Sequence, residues 1–191
     1  MHLIREDFKK AYKVFEYTCH EYKHGKACNN LGVFTYQGKG IKKPDIKKSV
    51  EHFKTGCENG SGEACYHYGQ MVSGRDKAMV DKGIKVDMKK SIEALEKGCE
   101  LGCPDACFDA SAAYLFGEIG YQKDEGKAFT YAKKACEEYF HFDSCNNLLI
   151  MHQKGLGTKK DPEAAKVVQA KIDDYVDQLQ KKRNLDMGRT E

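Results

Sequence analysis

The stretch Lys97–Asp109, KGCELGCPDACFD, carries two cysteines eight residues apart, Cys99 and Cys107, with a third, Cys103, midway between them. The outer spacing recurs along the chain. Cys19 and Cys28 are nine apart, Cys57 and Cys65 eight, and Cys136 and Cys145 nine. The first members of the four pairs, at 19, 57, 99 and 136, advance in steps of 38, 42 and 37 residues. A period of that size marks an array of supersecondary units, each unable to bury its apolar face alone and so obliged to stack on a neighbour. Eight of the nine cysteines belong to the period, and Cys103 falls outside it.

On both sides of each pair the apolar residues recur at helical spacing. Phe8, Tyr12, Phe15 and Cys19 share one face of a helix predicted over 5–19 and ending near Lys23. Lys26 to Gln37 is a second helix with Cys28, Leu31 and Tyr36 facing inward, stopped by Gly38-Lys39-Gly40, where glycines suit a left-handed helix end. Pro44-Asp45 opens a third, with Val50, Phe53 and Cys57 on one face. The pattern then repeats: helix at Ala64–Ser73, a charged loop at Gly74–Val86, and an Asp87-capped helix carrying Ile92, Leu95 and Cys99. Pro104, well suited to a first helical position, starts a helix reaching Phe116. GEIGYQKD leads to a helix over Glu125–Tyr139, followed by Phe142–Lys154 and a long last helix from Glu163 to about Lys182. That helix has a narrow apolar stripe, Val168, Ile172, Tyr175 and Leu179, the profile of a terminal cap. The expected fold is all-α, an α/α solenoid forming one array over 1–183: an orphan helix at 5–23, then repeats at about 25–60, 62–102, 104–140 and 142–182. Residues 184–191 are expected to be a disordered tail.

Composition narrows the function classes. The 32 basic and 29 acidic side chains are interspersed and sum to +3, which gives no reason to expect nucleic acid or an anionic membrane as a partner. No apolar run approaches the roughly 20 residues of a membrane span, and a mean hydropathy of −0.70 describes a soluble chain. Regular cysteine pairing implies an oxidising compartment. Yet the first residues, MHLIREDFKKAYKVFEY, have no apolar signal core, and Glu6 and Asp7 make a poor mitochondrial presequence. Two readings follow: a mature or truncated form, or entry to an oxidising space without a cleavable signal.

Each first cysteine falls in the last turn of one predicted helix and its partner in the first turn of the next. A tight antiparallel turn of this length brings two α-carbons to disulfide range, about 5–6 Å. Structural disulfides Cys19–Cys28, Cys57–Cys65, Cys99–Cys107 and Cys136–Cys145 are the favoured reading, with reduced core cysteines and metal ligation as the alternatives. Zinc ligands usually come as C-x₂₋₄-C, and the histidines (His2, His20, His24, His52, His67, His141, His152) are scattered, so no metal is expected. Cys103 precedes a helix N-terminus, where the dipole lowers a thiol's pKa, and stands four residues from both Cys99 and Cys107. A thiol–disulfide reductase or metallochaperone using Cys103 is one reading; a turn cysteine without a role is the favoured one. No G-x-S-x-G, phosphate-binding glycine loop or carboxylate pair nominates a catalytic residue. Tyr36, Tyr66, Tyr68, Tyr114 and Tyr131 sit at helical spacing, where core is the commoner role than an inner ligand surface.

The run Ala27–Phe53, ACNNLGVFTYQGKGI followed by DIKKSVEHF, resembles the Sel1-like repeat, a relative of the tetratricopeptide repeat. Ala27, Leu31, Gly32, Tyr36, Gly38, Gly40 and Asp45 carry the likeness. Later copies decay: Gly32 becomes Ser111 and Leu149, and Gly-x-Gly survives only at Gly155-Leu156-Gly157. Of two disulfide-bonded Sel1 groups, the secreted Helicobacter cysteine-rich proteins and the animal cytochrome c oxidase assembly factors of Sel1 type, the second is the more similar. The expanded stretch 74–86, the turn 116–124 and the charged last helix after Lys160-Asp161 carry that preference. That family has a further cysteine-paired helical segment ahead of the helix at 5–23. The resemblance implies a non-enzymatic scaffold for assembly of respiratory complex IV, resident in the mitochondrial intermembrane space and monomeric. Its partners would be complex IV subunits or assembly factors and the oxidative import machinery. It also implies haem binding and thiol–disulfide chemistry, although no Cys-x-x-Cys-His is present and no axial ligand can be assigned. A secreted bacterial-type protein is the further alternative.

Overall fold

Four aspartates set the first kind of chain reversal. Asp45, Asp87, Asp124 and Asp161 each accept a hydrogen bond from the amide three residues on (Lys48, Lys90, Lys127 and Ala164), at 2.9–3.1 Å. Each also donates its own amide to a carbonyl of the preceding helix, on Thr35, Val72, Tyr114 and His152, at 2.9–3.0 Å. Such caps satisfy amides that a helix start leaves without partners. The second kind of reversal lies at the cysteine pairs. His24, Ser61, Cys103 and His141 are the N-caps there, each four residues before the second cysteine, and their amides bond Thr18, Gly56, Gly98 and Ala135. The two reversals alternate and produce a stack of antiparallel helix pairs.

The structure is a computed structural model that describes the backbone of residues 2–117 and 122–187 and the side chains of 6–117 and 122–184. The order is α1 (His2–Glu21), α2 (Gly25–Gln37), α3 (Ile46–Glu58), α4 (Gly62–Val72), α5 (Lys77–Asp81), α6 (Met88–Glu100), α7 (Pro104–Phe116), α8 (Glu125–Tyr139), α9 (Phe142–Lys154) and α10 (Pro162–Met187). No strand occurs among the described residues. The pairs α2–α3, α4–α6, α7–α8 and α9–α10 are the repeating units, and α1 packs on α2. The all-helical repeat array expected from the sequence is the architecture observed.

Small residues let the helices of a unit cross closely. A Cβ added to Gly32 would stand 2.6 Å from the Phe53 ring, and one on Gly69 3.0 Å from Leu95. Where the glycine is lost, the facing residue shrinks. Ser111 faces α8, its hydroxyl donating to the Ala128 carbonyl at 2.8 Å, and α8 fills that face with Ala128 and Ala132. Between units, a Cβ on Gly56 would meet Ala64 at 2.7 Å, and one on Gly98 would meet Ala106 at 2.8 Å. Adjacent units therefore touch almost backbone to backbone beside each cysteine pair.

Four expectations need correction. The stretch 74–86 is not all loop, because Asp76 caps the short helix α5 and Met79 and Ile84 are buried against Phe53, Met71 and Val72. Tyr36 is 38% exposed rather than inward, since Gly32, Leu31 and Thr35 already fill the buried face of α2. Of the stripe on α10, Val168 and Ile172 are buried, whereas Tyr175 and Leu179 are 37% and 49% exposed. The helix also runs through Asn184 to Met187 instead of ending near Lys182, while residues 188–191 of the expected tail lie outside the described residues, as does 118–121 of the GEIGYQKD turn.

His52 on α3 is 4% exposed and its Nε2 has no hydrogen-bond partner. Burial first, then the charges of Lys48 and His20, with Asp45 opposing, pull its pKa down to about 4. The unfolded chain takes up that proton near pH 6.5, so stability present at neutral pH is lost as pH falls from 6.5 to 4. The expected loss is about 3 kcal/mol, most of it gone by pH 4.5. Urea unfolding at pH 7 and pH 4.5 measures it, and His52→Leu should lack this part of the acid destabilisation; an equal loss in both proteins would assign it elsewhere.

Candidate protein-docking cleft

The first helices of successive units, α2 and α4, stand side by side and leave a cleft between them. Val33, Tyr36 and Gln37 come from α2, and His67, Gln70 and Met71 from α4. Phe53 of α3 forms the floor, and Asp76 and Met79 close one end. The cavity holds about 330 Å³, at the low end of the roughly 300–1,000 Å³ of ligand pockets. His67 lies against the Phe53 ring (4.8 Å between centroids) and the Tyr66 ring (5.3 Å). Burial lowers its pKa against the opposing charges of Asp105 and Glu63, so it is neutral at pH 7. The cleft is an apolar slot with amide, imidazole and carboxylate groups at its edges, the surface type that seats a side chain or helix of a protein partner.

Further along, polar contacts join the helices. Between α4 and α7, Gln70 donates to Asp109, whose carboxylate also stands 3.8 Å from Arg75. Between α6, α7 and α8, Glu96 accepts from the hydroxyls of Tyr114 (2.6 Å) and Tyr131 (3.0 Å). Lys127 lies 4.6 Å over the Tyr114 ring. Of the five tyrosines singled out from the sequence, Tyr114 is buried, Tyr66, Tyr68 and Tyr131 are half-buried, and Tyr36 alone lines the open cleft. Sequence reasoning missed Asp76 and Met79. The signal was present as an aspartate two residues ahead of Ala-Met-Val, a capped turn of helix inside a charged stretch.

The four cysteine pairs all lie on the reversals between units. Their sulfurs are 2.01–2.14 Å apart and their α-carbons 4.4–4.7 Å, closer than the expected 5–6 Å because the N-cap hydrogen bonds draw the two helix ends together. All eight side chains are buried. Among the described residues no group of three or more His, Cys, Asp or Glu side chains is placed to hold a metal.

Cys103 departs from its expected electrostatics. It is the N-cap of α7, the position held by His24, Ser61 and His141 in the other units, but its side chain makes no capping hydrogen bond. It is 4% exposed, packed with Leu95, Ala106 and Ala110. Burial pushes the thiol pKa up, and the amides of Ala106 and Asp105 pull the other way without reversing it. Desolvation thus outweighs the helix-terminus effect invoked from the sequence. In the folded protein iodoacetamide should modify Cys103 at under a tenth of the rate seen in urea, as followed by intact mass; equal rates would mean an exposed thiolate.

A profile of the Sel1 repeat matches residues 25–61, 62–103, 104–139 and 143–166. The chain belongs to the Sel1-repeat family. Among curated relatives it is 32% identical to "Cytochrome c oxidase assembly factor 7 homolog" of Drosophila melanogaster, an alignment covering 85% of this chain and 72% of the fly protein. It is 29% identical to "Cytochrome c oxidase assembly factor 7" of Xenopus tropicalis, over 90% of this chain and 73% of the frog protein. Among solved structures, a Sel1 repeat protein of Oxalobacter formigenes superposes with a TM-score of 0.68 at 22% identity, covering 84% of this chain and 61% of that one. A protective antigen of uropathogenic Escherichia coli with the same repeat fold gives 0.70 at 20% identity, over 86% of this chain and 38% of that one. At these identities the two structures bear on the fold alone.

Proposed function

We propose that this Sel1-repeat protein is a non-enzymatic assembly factor for cytochrome c oxidase, working as a rigid array that holds protein partners. The observation that carries the reading is the 32% identity to the fly protein named as such an assembly factor, over 85% of the present chain. The α2–α4 cleft supports a docking role, being an open apolar slot with polar groups at its edges. Four buried cysteine pairs at bonding distance fit residence in an oxidising space, and the mitochondrial intermembrane space is the compartment we assign. No described helix is long and apolar enough to cross a membrane.

Haem enters through the resemblance alone. Among the cleft residues the types able to ligate its iron are Tyr36, His67, Met71 and Met79, and His67 is held in the neutral, ligating form. A haem titration followed at the Soret band, repeated on His67→Ala, decides the matter.

The assembly reading is tested in cells lacking the protein. Complex IV content should fall and return when this chain is supplied. Tyr36→Asp, a change at the exposed wall of the cleft, should fold with unchanged thermal stability and restore less than half of the complex. Normal complex IV content in the depleted cells would overturn the assembly role, whereas full rescue by Tyr36→Asp would move the docking surface off the cleft.

A further inference from the structure

At the junction of α1 with the turn between α2 and α3, starting one residue beyond the cleft's Gln37, lies a second cavity of about 680 Å³. Phe8 and Lys9 of α1 face Lys39, Gly40, Ile41 and Lys42 of the turn across it. Lys39 stands 5.4 Å from the centroid of the Phe8 ring. Among the described residues no carboxylate pairs with Lys9, Lys39 or Lys42, although elsewhere lysines 54, 89, 90, 123, 133, 166 and 181 are paired. Asp45, the acid nearest in sequence to the turn, is engaged in capping α3, and Glu6 and Asp7 are exposed on the first turns of α1.

The backbone adds a second, independent feature. Gly38 and Lys39 donate their amides to the end of α2, and the next amide with an acceptor is that of Asp45. Among the described residues the amides of Gly40, Ile41, Lys42 and Lys43 have none. Gly40 has φ +79°, and a Cβ there would lie 2.6 Å from the Phe8 carbonyl, so the turn is pressed onto α1 in one conformation. Amides without acceptors beside lysines without carboxylate partners leave positive potential that favours an anion. Phe8 and Ile41, both half-buried, give the same cavity an apolar floor. Inorganic phosphate has no use for such a floor, whereas an amphiphile matches both halves.

We infer that this junction binds the anionic headgroup of a phospholipid, seating one end of the array on a negatively charged membrane surface. The phosphate is met by Lys9, Lys39, Lys42 and the turn amides, and the first atoms below the headgroup by Phe8 and Ile41. A lysine near an anionic surface is worth roughly fivefold in affinity, so Lys9→Gln, Lys39→Gln and Lys42→Gln together should weaken binding about 100-fold. The experiment is flotation of the oxidised full chain with phosphatidylcholine vesicles, with and without phosphatidylglycerol. A control variant, Lys133→Gln with Lys166→Gln and Lys181→Gln, removes the same charge from ion-paired lysines elsewhere. Binding only to the anionic vesicles, lost in the first variant and kept in the control, is the expected result. No flotation with anionic vesicles, or equal loss in both variants, would overturn the proposal. So would inorganic phosphate shifting the amide resonances of the turn as strongly as the vesicles do, which would assign the site to a soluble phosphate.

Discussion

Reduction of the four cysteine pairs is expected to unfold the array at temperatures where the oxidised protein is fully native. Each pair closes a loop of eight or nine residues, for which chain entropy gives about 2.5 kcal/mol, so four are worth about 10 kcal/mol. That matches the entire stability of an ordinary domain, about 5–15 kcal/mol. The location compounds the effect, because every pair lies on a reversal between units, where a repeat array must be coupled to fold as one. Thermal melts of oxidised protein against protein reduced in urea and returned to buffer with reductant measure it. One pair at a time, Cys99→Ser with Cys107→Ser should lower Tm by about 5–10 °C. A reduced protein with an unchanged melt would show that helix packing alone holds the array. Intact mass after alkylation in urea should find one thiol in the oxidised chain, at Cys103, and nine after reduction.

The array was legible from the sequence because its determinants are local and repeated. An aspartate ahead of each second helix and a cysteine pair at each reversal fall at fixed intervals, and the structure uses them at those intervals. For Cys103 the sequence misled only on the direction of its pKa. Its spacing from Cys99 and Cys107 drew attention, yet its distance of four residues to Cys107 is the distance of Ser61 to Cys65 and of His24 to Cys28, which marks a capping position. The short helix α5 escaped because five residues are too few to show a period. Tyr175 and Leu179 look like core on a helical wheel, but burial depends on what stands opposite: Val168 and Ile172 are enclosed with Leu148, whereas Tyr175 lies against the Phe140 and Phe142 rings with its other side open. The cleft was out of reach for another reason: Val33 and Met79, 46 residues apart, meet only through the stacking of two units. A sum of +3 averages ion-paired lysines with the unpaired set beside Gly40 and hides the difference between them.

The Gly-x-Gly signature of the repeat makes the other large prediction. Gly40 and Gly157 end its two intact copies, and each rests on the helix of the preceding unit at the residue eleven before a first cysteine, Phe8 before Cys19 and Glu125 before Cys136. Both have positive φ, +79° and +69°. A Cβ on Gly157 would run into the Glu125 carbonyl, which cannot give way because the Asp124 cap fixes that turn of α8. Gly157→Ala therefore meets two costs, left-handed strain of about 1–2 kcal/mol and backbone overpacking of about 1–3 kcal/mol. Gly60 separates them, since its φ is +84° but nothing lies within 4 Å of an added Cβ. Gly60→Ala should lose about 1 kcal/mol and Gly157→Ala about 3–4 kcal/mol in urea unfolding. The loss at Gly157 should be accompanied by faster amide exchange in α9 and α10, while α2 to α6 keep their protection. Equal losses at the two glycines would mean that backbone conformation alone explains the signature. A larger loss at Gly157 shows that the second glycine exists to let one unit lie directly on the last.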